Sequence, residues 1–183
     1  MNRSHQLLLA FILLALAACA TLVPHEYLIT QEKLAEKLEK SFPVHRELGQ
    51  GLFSATLNVP ELGFIAAQNR ISLAATFSAY SVLSGGVQGH FVMTCALRYD
   101  AIQRAVFLQD ARLESLKIEP DNTYAEILRP ALERVLGEYS RENPLYRFQA
   151  DELRFAGADI DITGIEVVEN GIKLKLSPKQ QTR

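Results

Sequence analysis

The sequence predicts an α+β fold: a long, strongly curved antiparallel β-sheet wrapped around a helix from the C-terminal half, with a short N-terminal helix ahead of it. Three observations carry this prediction. Apolar and small polar residues alternate with period two from Ile71 to Leu83, from Phe91 to Tyr99 and from Arg104 to Ile118. A strong helical pattern follows from Asn122 to Ser140. The first of the alternating runs extends roughly 40 Å at ~3.3 Å per residue, far beyond the ordinary strand of about five or six residues. Antiparallel strands of such length twist and coil. A helix of roughly 28 Å, at ~1.5 Å per residue, is long enough to cover their apolar face.

In chain order, Thr30 is a helix N-cap, and Leu34, Leu38 and Phe42 form one stripe of a helix from Gln31 to Phe42, stopped by Pro43. Phe53, Ala55, Leu57 and Val59 alternate with Leu52, Ser54, Thr56 and Asn58, which predicts a strand. In the long run, Ile71, Leu73, Ala75, Phe77, Ala79, Ser81 and Leu83 share one face, and Gly85-Gly86 supplies the turn after it. Phe91, Met93, Cys95, Leu97 and Tyr99 then alternate with His90, Val92, Thr94, Ala96 and Arg98. The run from Arg104 to Ile118 changes parity near Leu113, where a bulge restores the inward face. Tyr124, Ile127, Leu128, Ala131, Leu132, Val135, Leu136 and Tyr139 make the apolar face of the second helix. Pro120 and Asp121 suit its start, and Pro130 predicts a kink or a split within it. Glu169-Asn170-Gly171 joins Ile160–Val168 to Gly171–Leu176 as a hairpin.

The first residues carry an address. Arg3, an apolar run from Leu7 to Leu16 and the small residues Ala17-Ala18 read as a secretory signal over residues 1–18, too short for a comfortable membrane span. Leu16-Ala17-Ala18-Cys19 resembles a bacterial lipobox, so Cys19 is the expected lipidation site, residues 19–26 the lipidated N-terminus and tether, and residues 27–183 one domain. Ala20 stands where inner-membrane lipoproteins commonly carry aspartate. The expected address is therefore the outer membrane, lipid-anchored and facing the periplasm. Cys95 is the only other cysteine, which excludes a disulfide framework. A net charge of −2, with 48% hydrophobic and 22% charged residues, describes a folded globular chain and argues against nucleic acid as a partner.

Catalytic and metal signatures are missing. His25, His45 and His90 fall in separate segments without zinc spacing, and all three suit surface positions. Ser84-Gly85-Gly86 reads as a turn, and Gly85-Gly86-Val87-Gln88-Gly89 lacks the ending of a phosphate loop. Asp159 and Asp161 share the solvent face of an edge strand. Cys95 is a small core residue. Arg70 and Asp100 end neighbouring strands, as a rim salt bridge or as the mark of one mouth of a tunnel. The expectation is a non-enzymatic protein without metal or cofactor.

Taken together, several short stretches resemble the YceB-like family of bacterial lipoproteins. They are Cys19 in its lipobox, Phe42-Pro43, Asn69-Arg70, Leu97-Arg98-Tyr99-Asp100, Phe107-Leu108 and Pro144-Leu145-Tyr146. The chain departs from the family at Asp110-Ala111-Arg112-Leu113, where a proline is expected before the arginine–leucine pair. That family is similar to one module of the tubular lipid-binding (TULIP) superfamily, in which a long sheet rolls around a helix to enclose an apolar tunnel. The resemblance implies a binder of lipid or another elongated apolar molecule and transfers no binding residues.

The residues themselves support a hollow interior. Ala55, Ala75, Ala79 and Cys95 are small residues on otherwise bulky faces. The expected lining is Leu73, Ala75, Phe77, Phe91, Met93 and Leu97 from the sheet, with Ile127, Leu132 and Leu136 from the helix. Each methylene moved from water into such a space contributes about 0.8 kcal/mol. The same alternation also serves a filled roll, in which small side chains let the helix approach the sheet. In that case the protein is a membrane-tethered module for an envelope protein partner.

Overall fold

The computed structural model describes residues 24–48, 53–81, 85–119, 125–155 and 158–179. Residues 1–18, expected as a secretory signal, and Cys19, the expected lipidation site, lie outside the described residues. Strand β1 (Glu26–Thr30) leads directly into helix α1 (Gln31–Ser41). Thr30 caps that helix through its side-chain oxygen, which accepts from the Lys33 N–H at 3.4 Å, and Leu34 and Leu38 are buried beneath it. Within residues 19–26, expected as a tether, Glu26 pairs with Lys175 and the His25 carbonyl accepts from the Leu176 N–H, so these two residues already belong to the fold.

Strands β2 (Val44–Leu48), β3 (Phe53–Leu57), β4 (Glu61–Ile65), β5 (Arg70–Ser81), β6 (Gly85–Asp100) and β7 (Ala105–Glu119) follow. They form one antiparallel sheet in the order β2-β3-β5-β6-β7-β8, where β8 is Tyr146–Arg147. Strand β4 pairs with the first half of β5, while β3 pairs with its second half. Val59 falls in the connection between them rather than in a strand. Gly85 and Gly86 are paired within β6, opposite Ser81 and Tyr80, so they belong to the strand itself.

The parity break falls where the pattern predicts it. Val92 pairs with Ser115 and Met93 with Leu113, leaving Glu114 as the extra residue of a bulge. A second bulge was not legible: Thr94 pairs with Arg112 and Ala96 with Gln109, so Asp110 and Ala111 together face Cys95, with Asp110 at φ 51°. Bulges increase local twist, and the sheet is strongly curled, a half-barrel.

Helix α2 (Ala125–Glu142) packs against β7 and runs through Pro130 without being split there. A second sheet, unforeseen except for its hairpin, has the order β1-β11-β10-β9, from β9 (Arg154–Phe155), β10 (Ala158–Val168) and β11 (Gly171–Pro178). Gly171 lies where β1 crosses the hairpin, and a Cβ there would strike the Ile29 carbonyl oxygen. Ile29, Ile172 and Leu174 of this sheet share one hydrophobic cluster with Ile71, Phe91 and Cys95 of the larger sheet and with Leu34 and Leu136 of the helices. The Val167 N–H donates to the Asn69 side-chain oxygen at 2.7 Å, tying the two sheets together.

Candidate functional site

The concave side of the large sheet leaves a cavity of about 460 Å³ below the two helices. Its floor is built by cross-strand neighbours: Leu73 faces Met93 and Ala75 faces Phe91 across β5 and β6. The last turn of α1 contributes Lys37, Leu38, Ser41 and Phe42. The C-terminal half of α2 contributes Leu136, Tyr139 and Ser140, and Asn143, Pro144 and Leu145 close that end. Val44, Leu57, Pro60 and Leu108 complete the wall. Ala75 is 4% exposed and ends at its methyl group opposite a phenylalanine, so its small size helps to leave this space open.

The predicted lining residues divide in two. Leu73, Ala75, Phe91, Met93 and Leu136 all face the cavity. Phe77 instead stacks at a tilt on Phe91, with ring centroids 6.3 Å apart. Leu97 and Leu132 are half-buried and pack on the core away from the cavity. Ile127 belongs to α2, but its side chain lies outside the described residues. Sequence reasoning missed the whole contribution of α1, although Leu38 and Phe42 stood on its apolar stripe; Lys37 carried no signal at all.

Lys37 is the only charged residue among the described lining residues, and it is half-buried with its ammonium 5.6 Å from the centre of the Tyr146 ring. Three of the other polar side chains of the wall are turned to backbone carbonyls, and the Tyr139 phenol is the fourth. The Ser41 hydroxyl donates to Lys37 at 2.9 Å, the Ser140 hydroxyl to Leu136 at 2.6 Å and the Asn143 amide to Tyr139 at 2.9 Å. The cavity is therefore mainly apolar with a single cation.

Behind Tyr146 lies a compact polar cluster. The Lys33 ammonium donates to the Tyr27 hydroxyl at 2.6 Å and to Glu152 at 2.7 Å, and the Tyr146 hydroxyl donates to the same Glu152 oxygen at 2.6 Å. Burial alone would raise the Glu152 carboxyl, but the bonds from Lys33, Tyr146 and the Gln149 N–H outweigh it and hold the group below its ordinary value. Burial and the neighbouring Glu152 both raise the Tyr146 phenol. Lys33 is thus held as a cation and Tyr146 as a neutral phenol, an arrangement that fixes α1 against the segment after α2.

Arg70 does not pair with Asp100. Strand β6 overshoots the end of β5, which carries Asp100 onto the β6–β7 turn. There Asp100 accepts from Arg98 at 3.2 Å and from the Gln103 N–H at 2.9 Å. Arg70 is instead buried and bonds Asp110, which the second bulge turns towards it: 2.9 Å to the carboxylate and 2.6 Å to the carbonyl. It also donates to the Thr94 carbonyl at 2.9 Å and hydroxyl at 3.2 Å. This network welds β5, β6 and β7 and lies away from the cavity.

Cys95 is fully buried, and desolvation pushes its thiol up to about 12. His45 hydrogen-bonds with Thr56 at 3.0 Å on an exposed strand surface. Asp159 pairs with Arg154 at 3.4 Å, while its neighbours Ile160 and Ile162 are buried. Among the described residues no three His, Cys, Asp or Glu side chains gather as a metal site, and no helix is long and apolar enough to cross a membrane.

Comparison with known proteins adds a family. None of the curated proteins matches the chain. A family model described as "Protein of unknown function (DUF1439)" matches residues 29–170, from β1 through the β10–β11 turn. The match covers both helices, every strand of the curled sheet and all the residues that line the cavity, and the chain therefore belongs to the DUF1439 family.

Proposed function

We propose that this protein is a non-enzymatic outer-membrane lipoprotein, facing the periplasm, that holds a lipid or another elongated apolar molecule between its sheet and its helices. The observation that carries the reading is the cavity of about 460 Å³, mainly apolar with one ammonium on its wall and a floor left open at Ala75. That volume lies within the range of about 300–1,000 Å³ usual for small-molecule sites. An acyl chain entering it leaves water at about 0.8 kcal/mol per methylene. The order of Leu16-Ala17-Ala18-Cys19 supports the anchor and the address. The likeness to one TULIP half-module and to the YceB-like lipoproteins is part of this proposal, and a curled sheet is what it requires.

Native mass spectrometry of the chain purified from a bacterial envelope, followed by lipid extraction, tests the proposal. Stoichiometric co-purified lipid is the expected result. A clean unliganded mass that takes up no added lipid would overturn it and favour a tethered adaptor for an envelope protein.

A further inference from the structure

We infer that the molecule held in the cavity is a single-chain amphiphile with an anionic oxygen head, carboxylate or phosphate. Its head sits on Lys37, and its chain lies over Leu73, Ala75, Phe91 and Met93. The inference deepens the lipid-binding reading above and rests on it.

Three cations lie along α1, and they are not equivalent. Lys33 is taken by Glu152 at 2.7 Å and Lys40 by Glu36 at 2.5 Å. Lys37, between them, makes no ion pair and no hydrogen bond through its ammonium among the described residues; the Tyr146 ring is its one close partner. It lies on the cavity wall, half-buried, and none of the described lining residues is a carboxylate. Its one acidic neighbour along the helix, Glu36, is already ion-paired with Lys40, so Lys37 feels that carboxylate only through charge and has no carboxylate of its own among the described residues. A lysine has a long aliphatic stem and a charged end, a side chain suited to the boundary between an acyl chain and its head group.

A second donor is present. Tyr139, also on the wall, makes no hydrogen bond through its hydroxyl among the described residues, whereas Ser41, Ser140 and Asn143 have spent theirs on backbone carbonyls. An ammonium and a phenol hydroxyl bordering one apolar space match the oxygens of an anion. A wholly apolar ligand would use neither donor.

Calorimetric titration of the purified full chain with dodecanoate, dodecyl phosphate and dodecanol tests this, since the three share a chain length and differ at the head. The wild-type chain should bind the two anions about tenfold more tightly than the alcohol, as one charged hydrogen bond provides. Lys37→Met should remove that preference, so that within this variant the anions bind no more tightly than dodecanol, and Lys37→Arg should keep it. Circular dichroism on each variant reports folding. A preference between dodecanoate and dodecyl phosphate identifies the head and supports the assignment either way. Equal affinity for all three in the wild type, or a preference that survives Lys37→Met, overturns the anionic head while the apolar cavity stands. Binding of none of them overturns both.

Discussion

Ala75→Phe is the substitution whose sign separates a hollow interior from a filled one. Ala75 is 4% exposed, sits between Leu73 and Phe77 on its strand, faces Phe91 and borders the cavity. A phenylalanine side chain there removes on the order of 100 Å² more apolar surface from water than alanine, given the 150–250 Å² such rings bury. At ~25 cal/mol per Å² this amounts to about 2.5 kcal/mol, less about 0.5–1 kcal/mol for the immobilised rotamers. The expected outcome is a ligand-free protein stabilised by about 1–2 kcal/mol, a rise in Tm of roughly 2–8 °C for a domain of this size. In a filled core the same change would be overpacking and cost about 1–3 kcal/mol. Thermal unfolding of the delipidated chain reads the sign directly. Repeating the melt with dodecanoate reads the site, because a ligand that binds only the folded state raises Tm in proportion to ln(1 + [L]/Kd). The wild type should show that rise and the variant should not. A fall in Tm for the ligand-free variant, or an undiminished response to dodecanoate, would refute the reasoning.

Other expectations concern the frame around the cavity. Arg70→Met should lose about 1–3 kcal/mol through the Thr94 oxygens left without a donor, read as a lower denaturation midpoint, with little direct effect on ligand affinity. The same variant tests a pH dependence. Hydrogen bonding from Arg70, aided by Arg112, holds the Asp110 carboxyl below its ordinary value of 3.8. Its contribution to stability is therefore present above that value and is lost as pH falls through the depressed one. The wild type should show this acid loss, and in Arg70→Met it should shrink. Cys95, buried and with its thiol pushed up to about 12, should resist maleimide at neutral pH until the chain is unfolded, as followed by peptide mapping. Rapid labelling of Cys95 in the folded protein would show that the β5–β6–β7 core opens readily.

The legible parts of the molecule are those in which one physical pattern repeats over many residues. Strands β5, β6 and β7 are long enough for alternation to declare both the strand and its inward face, and the bulge at Glu114 shows as a slip of that alternation before Leu113. Thr30 and the Asn170-Gly171 pair were legible because capping and tight turns depend on local chemistry. Strands β1, β2, β4, β8 and β9 span at most five residues each and, unlike the equally short β3, show no clean alternation of apolar and polar residues. The second sheet, which β1 and β9 complete, was hidden for the same reason. The partner of Arg70 was misread because it depends on register: β6 runs past the end of β5, and a left-handed residue at Asp110 turns a β7 carboxylate inwards. The floor of the cavity was legible, since Leu73 and Ala75 of β5 and Phe91 and Met93 of β6 share one face of the sheet. The α1 part of the wall was not, because nothing local to Lys37 or Leu38 tells which sheet they will cover.

The central claim is that an acyl chain lies between the curled sheet and the helices, and photocrosslinking locates it directly. Dodecanoate carrying a diazirine near its methyl end would be bound to the purified full chain, irradiated and mapped by peptide mass spectrometry. The account predicts adducts within β5, β6 and the C-terminal half of α2, around Leu73, Phe91, Met93 and Leu136, competed away by unlabelled dodecanoate and absent in Ala75→Phe. Adducts confined to exposed apolar side chains such as Ile102 or Val135, insensitive to competitor, would contradict it.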